Sequence, residues 1–312
     1  MFEAYTLSAA GKLLRIKLRR LIDLWKVSCS KLNGMLSTLS RKTCWIVIWA
    51  VLGLVFSPVA QTRADEIPPE IQSSLAILKQ DPGSVSIHSL VFLGEPLFIA
   101  AISAGPKVRE WTFDAAGVPL SVELFQEELP ATVQDALAKL LASGSVLGGL
   151  ARTFEGGSLV FEIDIETPKG LKSISYFADG KLSSREISES ELPAPVLKAL
   201  KRRLNGETLE KCYCSEENGT VYFTAGLARP KGPVWLTFDA AGAVAQREER
   251  AEWDAVPPAV QNALMGKLNT KERLRIIRKT EDREVSFEVW AFTPEKLDIY
   301  SVTSEGVLEK LR

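Results

Sequence analysis

Phe238-Asp239-Ala240-Ala241-Gly242-Ala243-Val244 decides how this chain is read, because its outline recurs three more times. The turn glycine Gly242 has counterparts in Gly117, Gly180 and Gly306, spaced 63, 62 and 64 residues apart along the chain. Ahead of them stand Asp114-Ala115-Ala116, Ala178-Asp179, Asp239-Ala240-Ala241 and Ser304-Glu305. Short polar residues at such places bond their own backbone and favour a turn. Four positions before each glycine lie Phe113, Tyr176, Phe238 and Val302; six before lie Trp111, Ile174, Leu236 and Tyr300. Positions two apart on a strand share a face, so these pairs read as core.

A second landmark keeps the same period. Ile67-Pro68, Leu129-Pro130, Leu192-Pro193 and Val256-Pro257 are spaced 62, 63 and 64 residues. Three residues beyond each proline comes Ile71, Val133, Val196 or Val260, and seven beyond comes Leu75, Leu137, Leu200 or Leu264. That spacing predicts a short helix with one apolar face, opened by a proline whose missing N–H costs nothing there. Asn205-Gly206 suits the end of the third helix. Strand-like runs fill the rest, in the second copy at 147–154, 159–166, 171–177 and 182–188. There Phe161, Ile163 and Ile165 alternate with Glu162, Asp164 and Glu166. Asn218-Gly219 predicts a tight hairpin in the third copy. The expectation is an α+β fold of four tandem repeats, each one helix packed on an antiparallel meander of three to four strands, with neighbouring copies docking in pairs or extending a shared sheet. The repeats are placed at 65–127, 128–190, 191–254 and 255–312.

The N-terminus predicts export. Residues 45–56 form an uncharged apolar run, preceded by Arg41 and Lys42 and followed by Thr62-Arg63-Ala64, a small-x-small cleavage pattern. This is the layout of a secretory signal, and the run is shorter than the roughly 20 residues a spanning helix needs. Residues 35–64, beginning at Met35, make a well-proportioned signal peptide. Residues 1–34 then read as an over-annotated start or, through the basic amphipathic stretch 12–26, as a membrane-surface extension. An uncleaved 45–56 anchored in the inner membrane is the alternative, and membrane contact is expected only through this N-terminal part.

Beyond residue 64 the chain carries 28 basic and 37 acidic residues, a balance of −9. A nucleic-acid partner is not expected from such a surface. The local basic stretch 271–283 reads as a solvated strand face. Helix, antiparallel strands and the closing turn Phe238-Asp239-Ala240-Ala241-Gly242 together resemble PepSY-like domains, which overlap with the beta-lactamase-inhibitor-protein-like group. The resemblance spans 66–312 and is clearest in the second and third copies. The first copy departs most, at Asp81-Pro82-Gly83 and at Phe92-Leu93-Gly94-Glu95-Pro96. It implies a small non-catalytic module outside the cytoplasm, associated with binding or inhibiting peptidases, and brings no catalytic residues.

The residues themselves offer no catalytic constellation. His88 is the only histidine, which removes triads and histidine metal sites, and no Gly-x-Ser-x-Gly elbow is present. The abundant carboxylates read as solvated strand and turn residues, though a glycosidase-type pair is compatible with them. Cys212 and Cys214 are the only cysteines after residue 64. Two apart on a strand, they share a face; a structural role leads, with a strained disulfide, redox or metal chemistry as the alternative. No metal or other cofactor is expected. The sequence thus points to an exported non-enzymatic protein that binds another protein. A carboxylate hydrolase with a site between repeats, or a structural envelope component, is the alternative.

Overall fold

Short helices and long strands alternate through a computed structural model that describes residues 67–311, apart from 79, 81–84, 105–106, 156, 168–169, 205, 231, 269–272 and 293–295. All of these lie in the compact unit Arg63–Arg312. The leader features at 1–64, together with Asp81-Pro82-Gly83, fall outside the described residues. First come α1 (Pro69–Ile77), β1 (Ser86–Phe92), β2 (Glu95–Ala104), β3 (Lys107–Asp114) and β4 (Pro119–Glu123). Next are α2 (Ala131–Ala142), β5 (Val146–Glu155), β6 (Ser158–Thr167), β7 (Gly170–Phe177) and β8 (Leu182–Ile187). Then follow α3 (Ala194–Lys201), β9 (Thr208–Glu217), β10 (Thr220–Ala228), β11 (Val234–Asp239) and β12 (Val244–Arg250). The chain closes with α4 (Pro258–Lys267), β13 (Leu274–Glu281), β14 (Glu284–Phe292), β15 (Leu297–Thr303) and β16 (Leu308–Lys310).

The expected fold class needs correction. The strands do not divide into four helix-and-meander units, alone or docked in pairs. They make one antiparallel sheet of sixteen strands in sequence order, β1 through β16, with only four short helices on it among the described residues. The joins link the last strand before each later helix to the first strand after it. Val122 and Glu123 of β4 pair with Arg152 and Ala151 of β5. Ser184 through Ile187 of β8 pair with Ser215 through Cys212 of β9, and β12 pairs with β13 over Gln246↔Glu281 to Arg250↔Ile277. The physical reason is the edge problem. A separate four-stranded layer of about 60 residues would bury little and expose two rows of unpaired backbone groups. Continuing the ladder removes both costs.

Helices of 8 to 12 residues are marginal by themselves, so packing must hold them. Their apolar pairs supply it: Ile71 with Leu75, Val133 with Leu137, Val196 with Leu200, and Val260 with Leu264 are all buried. Each helix covers its own apolar cluster on the sheet; α3, for example, sits over Cys212, Ala225, Leu236 and Phe238. Where glutamine follows the proline by four residues, its amide ties the helix to the residue that precedes that proline. Gln72 donates to the Ile67 carbonyl at 2.8 Å and Gln134 to that of Leu129 at 2.8 Å.

The two periodic landmarks meet in space. A Cβ placed on Gly117, Gly242 or Gly306 would lie 2.6 Å from a helix carbonyl oxygen, that of Glu70, Pro195 or Ala259. On Gly180 it would lie 3.0 Å from Thr132. Each of these partners stands two residues after the landmark proline. The closing turn is therefore seated against the first turn of its helix, and only glycine, with its positive φ, permits that approach. Ser74 completes one such seat by donating to the Gly117 carbonyl at 2.6 Å.

The sheet also curls back on itself. Trp290, Phe292 and Ile299 of β14 and β15 share a buried apolar cluster with Val118, and Phe154 packs edge-on to Trp290 with ring centroids 5.5 Å apart. Next to β2 and β3, Arg250 and Arg275 reach Glu95 at 2.5 Å and Asp114 at 3.0 and 3.3 Å. These contacts join residues up to 180 positions apart.

A polar and aromatic face on the sheet

Strand alternation decides which side chains leave the helix-covered face. Phe161, Ile163 and Ile165 enter the cluster under α2, so Glu162 and Asp164 point to the opposite side. Their neighbours follow by register: Glu162 faces Ser175, Asp164 faces Ser173, and Glu186 faces Tyr213. The same side then carries Lys211, Tyr213, Thr224, Trp235 and Thr237 on β9 to β11. None of these residues belongs to any of the buried apolar clusters.

The polar groups are bonded to one another. The Ser173 hydroxyl donates to Asp164 at 2.5 Å. Ser183 and Ser184 donate to Glu155 at 2.7 and 3.2 Å, and Lys211 donates to Glu186 at 2.6 Å. Thr224 and Thr237 hydroxyls lie 3.0 Å apart across the β10–β11 ladder. Tyr213 and Trp235 pack with ring centroids 6.0 Å apart and planes at 52°. Gly226 makes room for that indole: a Cβ there would meet the Trp235 ring at 2.4 Å.

Glu162 is the electrostatic outlier. Burial, reinforced by the neighbouring Asp164 carboxylate, raises its pKa from the ordinary 4.5 to about 7. Asp164 is raised as well, mainly by burial, with the Ser173 hydrogen bond opposing. Burial and the same carboxylates push the Tyr213 hydroxyl upward. A carboxyl raised in the folded state holds its proton after the unfolded chain has released it. Stability therefore falls as pH climbs from about 4.5 toward 7. Glu162→Gln is expected to match the native protein at pH 4 and to exceed it at pH 8 by roughly 1–2 kcal/mol, a figure reduced for residual solvent contact. Urea unfolding at the two pH values measures this; an equal difference at both would show that Glu162 is not held protonated.

The sites proposed from sequence fall as follows. Cys212 is buried beneath α3 and Cys214 is half-buried beside it, both as free thiols. Burial pushes the Cys212 thiol up to about 11, which suppresses the reactive thiolate at neutral pH. His88 lies in β1 with Ser86 at 3.5 Å. Among the described residues no group of three or more His, Cys, Asp or Glu is placed to hold a metal. No described helix is long and apolar enough to cross a membrane. The reading of Glu162 and Asp164 as solvated missed their partial burial, and Tyr213 was passed over between its two cysteines. Its signal was available: it alternates with them and so belongs to the other face.

No family model matches the chain, and no curated protein does. The likeness to PepSY-like domains therefore stays with the residues that suggested it. Among solved structures, one from Bacteroides eggerthii, described as "putative periplasmic proteins", is 15% identical, covering 38% of this chain and 87% of that one at a TM-score of 0.30. A DUF2874 family protein from Bacteroides ovatus is 13% identical, covering 38% and 86% at a TM-score of 0.29. Likeness at that level leaves the function to be argued from this chain's own side chains.

Proposed function

We propose that the chain is an exported, non-catalytic binding protein that holds another protein against the helix-free face of β6 to β11. The observation that carries this reading is the composition of that face. Tyrosine, tryptophan, serine and threonine stand where a sheet covered by its own chain would place aliphatic residues. Rigid aromatic side chains supply contact area at small entropic cost, and hydroxyls adapt their hydrogen bonds to a partner. Export rests on the basic flank, apolar run and cleavage pattern at 35–64. An envelope peptidase is the partner class that the PepSY-like likeness suggests.

The test is retention of a partner from envelope extract by the immobilised protein. Trp235→Ala and Tyr213→Ala are each expected to weaken capture of that same partner by at least tenfold, with thermal unfolding confirming that the variants fold. Capture unchanged by both would place the interface elsewhere. A second reading has one observation in its favour: a protonated Glu162 beside a carboxylate is the pairing an acid–base hydrolase uses. Hydrolysis of glycoside or peptide substrates that disappears in Glu162→Gln would establish that reading instead.

A further inference from the structure

The sheet begins on a strand with an open edge. β1 stands first in the strand order, and among the described residues no strand lies beyond it. The first strands of the three later groups, β5, β9 and β13, each take such a neighbour in β4, β8 and β12. The other end of the sheet is protected. β16 has only three residues, two of them charged. The β5–β6 turn also abuts it, since a Cβ on Gly157 would lie 2.6 Å from Leu311. Shortness, charge and cover are the usual defences of a sheet edge. β1 lacks them: its seven residues, Ser86-Ile87-His88-Ser89-Leu90-Val91-Phe92, include no Asp, Glu, Lys, Arg or Pro, and Val91 is 73% exposed.

Hairpin geometry decides which backbone groups that edge offers. Leu93 and Gly94, with φ of 53° and 83°, form a two-residue turn, and Phe92 faces Glu95 across it. The pair flanking such a turn exchanges both ladder bonds, and bonding alternates from there. Ser86, His88, Leu90 and Phe92 therefore turn their N–H and C=O groups to β2, while Ile87, Ser89 and Val91 turn theirs outward. Pro96 fits this phase: it has no N–H to give and stands opposite Val91, where none is needed. No hydrogen bond among the described residues reaches the three outward sets.

We infer that this edge docks a second copy of the chain, β1 against β1 and antiparallel, about a two-fold axis at Ser89. That axis sets Ser89 opposite the partner's Ser89 and Ile87 opposite the partner's Val91, so each outward donor meets an outward acceptor. Charge favours a second copy as the occupant. Beyond residue 64 the chain has 28 basic and 37 acidic residues, which opposes contact between copies. A two-fold contact also sets the same patch against itself, so any charge on the strand would meet its like. β1 brings none to the contact. Ile87 and Val91 are β-branched, and such side chains pair well across strands. The contact is one strand wide, so association is weak and depends on concentration. No residue of the polar and aromatic face takes part.

Sedimentation velocity of the full chain over a concentration series is the test, and the native protein is expected to pass from monomer to dimer. Ser89 is exposed, so its side chain can be changed with little effect on the fold. Ser89→Lys and Ser89→Glu each set like charges face to face across the axis, and each is expected to weaken dimerisation by roughly fivefold or more. An equimolar mixture of the two variants is expected to recover it, because opposite charges then meet. Amide exchange supplies a readout that needs no variant: Ile87, Ser89 and Val91 should exchange fast in dilute solution and slow as concentration rises. The assignment is overturned by a native chain that stays monomeric, by association that neither substitution weakens, or by a mixture that fails to recover it. Protection of the three amides already present in dilute solution overturns it as well.

Discussion

Asp114→Asn is expected to destabilise the fold by roughly 3–5 kcal/mol, the cost of removing one partner from a buried charge group. Asp114 is fully buried, and its two oxygens have separate duties. Oδ1 accepts the backbone N–H groups of Ala116 at 3.0 Å and Val118 at 2.9 Å, which shapes the turn. Oδ2 accepts from the guanidinium groups of Arg250 and Arg275. Asparagine can keep the first duty, but it turns an amide donor toward two arginines and deletes a charge. Glu95 then faces both cations without help. Asp239→Asn is the matched control, because Asp239 accepts the Ala243 N–H at 2.8 Å in an equivalent turn, with no arginine bonded to it among the described contacts. Its substitution should cost under about 1 kcal/mol. Urea midpoints of the two variants measure the difference, and equal losses would mean that the turn, and not the charge, is what matters. Acid has the same target. Burial would raise Glu95, but Arg275 and Arg250 outweigh it and hold its pKa below 4.5. Its stabilising share is thus complete above pH 4.5 and disappears as pH falls through the lowered value.

That network also marks where sequence reading stops. The local pattern was legible: runs read at 147–154, 159–166, 171–177 and 182–188 form β5 to β8 within two residues at each end. Asn218 and Gly219 take φ of 50° and 80° and turn the β9–β10 hairpin as their types suggest. These features depend on periods of two or on one turn, and so they are written locally. How the strands join is not. Arg185 to Ile187 bond to Cys214 to Cys212 across an intervening helix, and hydrophobic alternation is the same whether that strand ends a layer or continues one. The curl is less legible still. Glu95 and Asp114 look like ordinary hairpin and turn residues, and Arg275 falls in a basic stretch that suggested a solvated face. Only pairing across 136 to 180 residues buries them. The candidate face was half visible. Alternation shows that Glu162, Asp164 and Tyr213 leave the core, but it does not show the burial that shifts Glu162. Cys212 and Cys214 are conspicuous as the only cysteines beyond residue 64, whereas nothing local distinguishes the tyrosine between them.

Gly94→Ala is expected to cost more than about 3 kcal/mol, from two effects that a control can separate. Gly94 turns the β1–β2 hairpin with φ of 83°, where a side chain costs roughly 1–2 kcal/mol. The larger effect is contact. An added Cβ would lie 1.8 Å from the carbonyl oxygen of Arg229 and 2.8 Å from its carbon, both backbone atoms that cannot rotate aside. The hairpin and the β10–β11 connection must then part, with a further strain of about 1–3 kcal/mol. Their separation would break the bond from the Arg229 N–H to the Leu93 carbonyl, 3.4 Å long. Gly219→Ala supplies the comparison: φ is 80°, yet nothing lies within 4 Å of the added atom. It should lose only the conformational share. If the β1–β2 tip is one of the points that hold the curl closed, Gly94→Ala should also speed proteolytic cleavage near that hairpin, while Gly219→Ala leaves it unchanged. Equal stability losses and equal cleavage rates would mean that the first hairpin is not fastened to the third group of strands, and the wrapped arrangement that buries Asp114 would lose one of its supports.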